Sequence, residues 1–151
     1  MKHEQGMDLP KTILVATDFS ETSEAAVDYA VALAKKLEAK LYLLNAIGIP
    51  TYGVPELGVA VTASMIDSIV QDNQAALDLL IRKYAPMKLE PLLRTGDPRD
   101  LIVQTAKEVD ADLIVMGTHG RRGVSRALLG SVAEGVLRHA HCPVLTIRRP
   151  K

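Results

Sequence analysis

A chain of 151 residues, 48% of them apolar, is long enough for one domain that hides roughly 70% of the surface exposed on unfolding. Its 18 basic and 18 acidic residues cancel, which argues against a general nucleic-acid binder with a basic excess. A single cysteine, Cys142, excludes an internal disulfide framework, and no apolar run approaches the roughly 20 residues needed to span a membrane.

Aromatic residues make up only 3% of the chain, so its core must be built from Ala, Val, Leu and Ile. Residues 1–10 read as a flexible N-terminal segment before a single domain spanning 1–151. Met1 to Asp8 has no apolar centre and does not read as a secretory signal. With one free cysteine, a cytoplasmic location is expected.

Lys11 to Thr17 is apolar and β-branched around Ile13 and Val15, and predicts the first strand. Asp18 follows, then Ser20 as a helix N-cap, with Glu21 and Glu24 at the positive end of that helix. Ala26, Ala30, Leu33 and Leu37 recur at helical spacing. Lys40 to Ala46 predicts a second buried strand. Residues 47–62 carry Gly48, Pro50, Gly53, Pro55 and Gly58, which argue against regular structure. They also carry Tyr52, Val54, Leu57, Val59 and Val61. Either a flap folded on its own domain or a cover over a ligand or dimer contact fits that pattern.

A long helix is predicted from Ala63 to Tyr84, with Ile66, Ile69, Val70, Leu77, Leu80, Ile81 and Tyr84 as its apolar face. Ala85-Pro86 ends it. Lys88 to Arg94 predicts a third strand, and Pro91 places it at a sheet edge, because proline has no N–H to donate to a neighbour. Asp97 caps the next helix with Pro98 at its first position, and Leu101, Ile102 and Val109 face inward. Leu113 to Met116 is a fourth strand. A glycine-rich basic loop and a fourth helix follow, with Val132, Val136 and Leu137 on one helix face. Pro143 to Arg148 is the last strand. Strict alternation of strands and helices predicts an α/β fold, a five-stranded parallel sheet with helices on both faces.

The loop after the fourth strand carries the chemistry. Glycine lets backbone N–H groups approach an anion, and a helix N-terminus offers unpaired N–H donors with a partial positive charge. Ser131 adds a hydroxyl. Of Arg121, Arg122 and Arg126, one is expected to reach a phosphate, and the sequence does not say which. The pattern is neither a P-loop nor G-x-G-x-x-G. Gly120-Arg-Arg-Gly123 satisfies the G-x-x-G loop of KH domains. That loop joins two helices, whereas a strand leads into this one, and the balanced charge speaks against RNA. His119, His139 and His141 have no metal-site spacing. His119 could touch phosphate, and the other two suit the carbonyls at a helix end. Cys142, just before a strand, reads as an inert core thiol. No catalytic residues are evident.

The order Gly117, two residues, Gly120, nine residues, Gly130-Ser131 resembles the ATP-binding signature of the universal stress protein family. Thr17-Asp18-Phe19-Ser20, Gly96-Asp97-Pro98 and His141-Cys142-Pro143-Val144-Leu145 resemble further family motifs, and the resemblance runs from Lys11 to Arg149. It implies a Rossmann-like fold related to the adenine nucleotide alpha hydrolases, with strand order 3-2-1-4-5. Strand order then reverses between the first and fourth strands, where such sheets bind ligands. It implies a site of Ala16, Thr17, Asp18, Ala46, Gly117, Gly120, Arg121, Arg122, Gly130, Ser131 and Val132, holding ATP with Mg²⁺ on the phosphates. The backbone at Ala16 and Ala46 would hold adenine. Family ATP binders often carry proline and valine there, a departure in this chain. The function so implied is a stress-response sensor or switch with little or no turnover. It also implies a homodimer through Val144–Ile147, whose apolar edge invites pairing. A nucleotide-independent dimeric scaffold for another protein, and a slow ATPase or adenylate kinase-like enzyme using Asp18 or Asp97, remain alternatives.

Overall fold

The computed structural model describes residues 8–48, 62–119 and 129–149. They form β1 (Thr12–Thr17), α1 (Glu21–Leu37), β2 (Lys40–Ile47), α2 (Ala63–Tyr84), β3 (Leu89–Thr95), α3 (Pro98–Glu108), β4 (Leu113–Gly117), α4 (Ser131–His139) and β5 (Val144–Ile147). All neighbouring strands are parallel, in the order β3-β2-β1-β4-β5. The expected fold is the one observed. Pro91 lies on edge strand β3, opposite Leu43 of β2.

Strand side chains alternate between two cores. Ile13, Val15, Leu41, Leu43, Leu113 and Val115 meet Ala26, Val27, Ala30 and Leu77 of α1 and α2. Leu14, Ala16, Leu44, Ile114 and Met116 meet Ile102 and Ala106 of α3 and Ala133 and Val136 of α4. Burial on both faces is why the central strands read as continuous apolar runs. Small alanines on α1 let that helix lie close to the sheet.

Three of the four described helices start at a side-chain cap. The Ser20 hydroxyl accepts from the Ser23 amide at 3.2 Å, that of Thr62 from Met65 at 3.2 Å, and the Asp97 carboxylate from Asp100 at 3.0 Å. Such caps stabilise a helix by about 1 kcal/mol each. Gly96, ahead of the Asp97 cap, has φ +145, a backbone conformation that L side chains rarely adopt.

Two sequence expectations need correction. Leu137 is 43% exposed, because the inward arc of α4 is filled by Ala133, Gly135 and Val136. On α2, Leu77 is fully buried and Leu80, Ile81 and Tyr84 pack on the core, but Ile69 is exposed. Only the later turns of that helix press fully on the sheet. Residues 1–7, most of the 47–62 segment, and Gly120, Arg121, Arg122, Gly123 and Arg126 lie outside the described residues.

Candidate functional site

A pocket of about 570 Å³ opens at the C-terminal ends of β1, β2 and β4, on the face covered by α3 and α4. Its space comes from a change in side-chain size along the strands. On this face β1 carries Leu14 then Ala16, and β2 carries Leu44 then Ala46. Where a second leucine on each strand would fill the layer, alanine leaves room. Ala16, Thr17, Asp18, Ala46, Gly117, Gly130, Ser131 and Val132 all line the pocket. Gly48, Pro98, Ile102, Met116, Thr118, His119 and Ala133 join them; of these, only His119 was expected near a phosphate.

The two lips are built differently. On the β1 side the chain turns sharply, with Phe19 at φ 63. Thr17 Oγ1 accepts from the Phe19 amide at 3.0 Å and lies 3.2 Å from Ser23 Oγ. Asp18 Oδ1 accepts from the Ser20 amide at 2.9 Å. The Thr17 hydroxyl is thus engaged in the turn, and Asp18 is braced at the pocket wall.

On the β4 side, Thr118 donates its amide to Ile147 at 3.0 Å and accepts at its carbonyl from the Gly130 amide at 2.7 Å. Gly130 precedes α4 with no side-chain cap, in contrast to Ser20, Thr62 and Asp97 on the other helices. The amides of Ser131, Val132 and Ala133, all pocket-lining, fall in the first turn, where no intrahelical carbonyl can take them. An anion suits that position.

The glycines have packing reasons of their own. A Cβ at Gly117 would meet Thr22 Cγ2 at 2.9 Å and the Thr22 carbonyl carbon at 3.2 Å, so β4 ends tightly against the first turn of α1. A Cβ at Gly130 would stand 3.0 Å from the Thr118 carbonyl oxygen.

Among the described residues, two buried side-chain polar atoms have no hydrogen-bond partner, Asn45 Oδ1 and His119 Nε2. An unpaired buried polar group costs about 1–3 kcal/mol. His119 lines the pocket and Asn45 precedes pocket-lining Ala46. His119 Nδ1 lies 3.0 Å from Thr118 Oγ1. His139 Nδ1 lies 2.8 Å from the Gly135 carbonyl, in keeping with a capping role, whereas His141 is exposed beyond the helix end. The Cys142 thiol is pushed up by burial and then by the Asp112 carboxylate nearby. That suits an unreactive thiol. Among the described residues no cluster of His, Cys, Asp or Glu could hold a metal ion.

Parallel strands wound in both directions from β1, with a pocket where their order reverses, define a doubly wound α/β protein with a ligand cleft at the switch point. The chain belongs to the universal stress protein family, whose model matches residues 10–148. It is 38% identical over 150 residues to a universal stress protein of Methanocaldococcus jannaschii, covering 97% of this chain and 86% of that one. Among solved structures it is similar to the universal stress protein UspA from Lactobacillus plantarum, at 30% identity and TM-score 0.81, covering 91% and 97% of the two chains. It is also similar to a universal stress protein in complex with cAMP, at 26% identity and TM-score 0.68, covering 95% and 100%.

Proposed function

We propose that this protein binds ATP in the pocket between β1 and β4, with Mg²⁺ carried on the phosphates, and serves as a cytoplasmic stress-response sensor or switch with little or no turnover. The observation that carries the reading is the pairing of an alanine-floored cleft with the uncapped start of α4. Ala16 and Ala46 would bound the adenine, and Asp18 would meet the adenosine. Ser131 and the first-turn amides of α4 would hold the phosphates, with Gly120, Arg121 and Arg122 beside them. The adenine nucleotide bound by one solved relative, cAMP, supports that ligand class. Low turnover is supported by the carboxylates themselves, since Asp18 and Asp97 each accept a main-chain hydrogen bond in a turn or cap.

The test is a calorimetric titration with ATP and Mg²⁺, and with AMP and cAMP, beside Ala46→Phe. A phenyl ring at this half-buried position would occupy the cleft floor and leave the glycine sequence unchanged. Binding by the parent and its loss in Ala46→Phe is expected. Equal binding by both would move the ligand elsewhere. Binding by neither would leave the nucleotide-independent scaffold in the lead.

The same reading includes a homodimer through β5. Ile114 donates to the Pro143 carbonyl and Thr118 to that of Ile147. Main-chain groups alternate in direction along a strand, so Val144 and Thr146 present theirs to the edge away from β4. Leu137 is also exposed.

A further inference from the structure

We propose that Asn45, on the sheet face opposite the pocket, is a positioning residue that sets the orientation of Asp18, an inference that rests on the nucleotide reading above. Leu41 and Leu43 of β2 belong to the core under α1 and α2, and Leu44 belongs to the other. Strand alternation therefore puts Asn45 on the α1 face, away from the cleft. The residue is 2% exposed, and its Nδ2 donates to the Thr17 carbonyl at 2.9 Å.

That carbonyl and the Asp18 amide belong to one planar peptide group. Asn45 holds the oxygen end of the plane, and Ser23 Oγ accepts from the Asp18 amide at 3.3 Å at the other end. Two side chains from different elements thus clamp the peptide that leads into Asp18. The next residue, Phe19, has φ 63, so the chain departs from strand geometry directly after the clamp. An apolar residue at position 45 would leave the Thr17 carbonyl without this donor. Asn45 Oδ1 meanwhile has no partner among the described residues. A core position selected for packing alone would not keep a half-satisfied amide. The amide is explained by what its donor holds.

The experiment compares the parent with Asn45→Leu and Asn45→Ala, neither of which can donate to Thr17. Affinities for AMP and ATP are expected to fall together by about tenfold, the worth of one lost hydrogen bond, with their ratio unchanged. The clamp acts on the nucleoside end of the cleft and leaves the α4 end alone. In the free proteins, the amide resonances of Asp18 and Phe19 should shift, while those of Ser131 and Val132 stay in place. Unchanged Asp18 and Phe19 resonances would overturn the proposal, as would full affinity in both variants beside a parent that binds. If Asn45→Leu fails to fold, Asn45→Ala, which is smaller than asparagine and brings no clash, carries the comparison. A parent that binds no nucleotide overturns the functional reading instead, and the free-state resonances still judge the clamp.

Discussion

The Gly130 amide donates to the Thr118 carbonyl at 2.7 Å, tying the start of α4 to the end of β4. Thr118 and Gly130 are thereby held together at the pocket wall. Gly130 has φ -63, which any residue can adopt, so its need for glycine lies in contact and not in backbone strain. Gly130→Ala puts a methyl group 3.0 Å from the Thr118 oxygen. We expect destabilisation by about 1 kcal/mol, at the low end for overpacking. Weaker ATP binding should accompany it, read by calorimetry beside thermal unfolding.

Gly117→Val should act on folding before it acts on ligand. Its new Cβ faces Thr22 Cγ2 at 2.9 Å and backbone at 3.2 Å, where nothing yields cheaply. A loss of about 2–3 kcal/mol in urea unfolding is expected. Native stability in this variant would show that β4 and α1 are less tightly packed than the geometry states.

Alkaline pH should loosen the contact between α1 and α2. Burial, then the hydrogen bond to Asp28, pushes the Tyr84 hydroxyl up to about 12. The hydrogen bond to Glu24 raises Lys83 as well. Both groups hold a proton more tightly folded than unfolded. Their stabilisation is therefore complete below the unfolded values of about 10 and is lost as pH rises through the raised folded ones, about 12 for Tyr84. Thermal scans from pH 9 to 12 should show that decline. Tyr84→Phe should flatten it and lower stability at pH 9. An equally steep decline in Tyr84→Phe would assign the effect to other groups.

Thr146→Pro should separate the proposed dimer without breaking the chain's own sheet. Proline removes an N–H that faces the open edge, and edge strands accept it there. Sedimentation should then move from twice the 16.3 kDa chain mass towards the single chain. A parent that already sediments as a single chain would refute pairing through β5.

Much of the architecture was legible because local chemistry and fold agree. Ser20 and Asp97-Pro98 start helices where a capping side chain can, and Pro91 stands on an edge. The location of the cleft followed from the strand order that the family resemblance implies, which reverses beside Asp18 and Gly117. Asn45 was not legible. In Leu43-Leu44-Asn45-Ala46 it reads as one polar residue inside a buried strand, and its partner, the Thr17 carbonyl, is 28 residues away. Leu137 misled because a helical apolar pattern does not say how wide an arc the core covers. Gly117 and Gly130 were read as openings for a ligand, while their contacts with Thr22 and Thr118 depend on tertiary packing that spacing cannot reveal.

The sheet has a narrow seam. β1 pairs with β2 over six residues but with β4 over three, Ile13 to Val15 against Leu113 to Val115. The first three strands lie on one side of that seam and the last two on the other, and the cleft straddles it. A molecule seated there would bridge two halves of the chain that share few backbone bonds. Its occupancy would act as a rivet, felt as mechanical resistance to the halves parting. Pulling the protein apart at residues 8 and 149 should then require greater force when the cleft is filled.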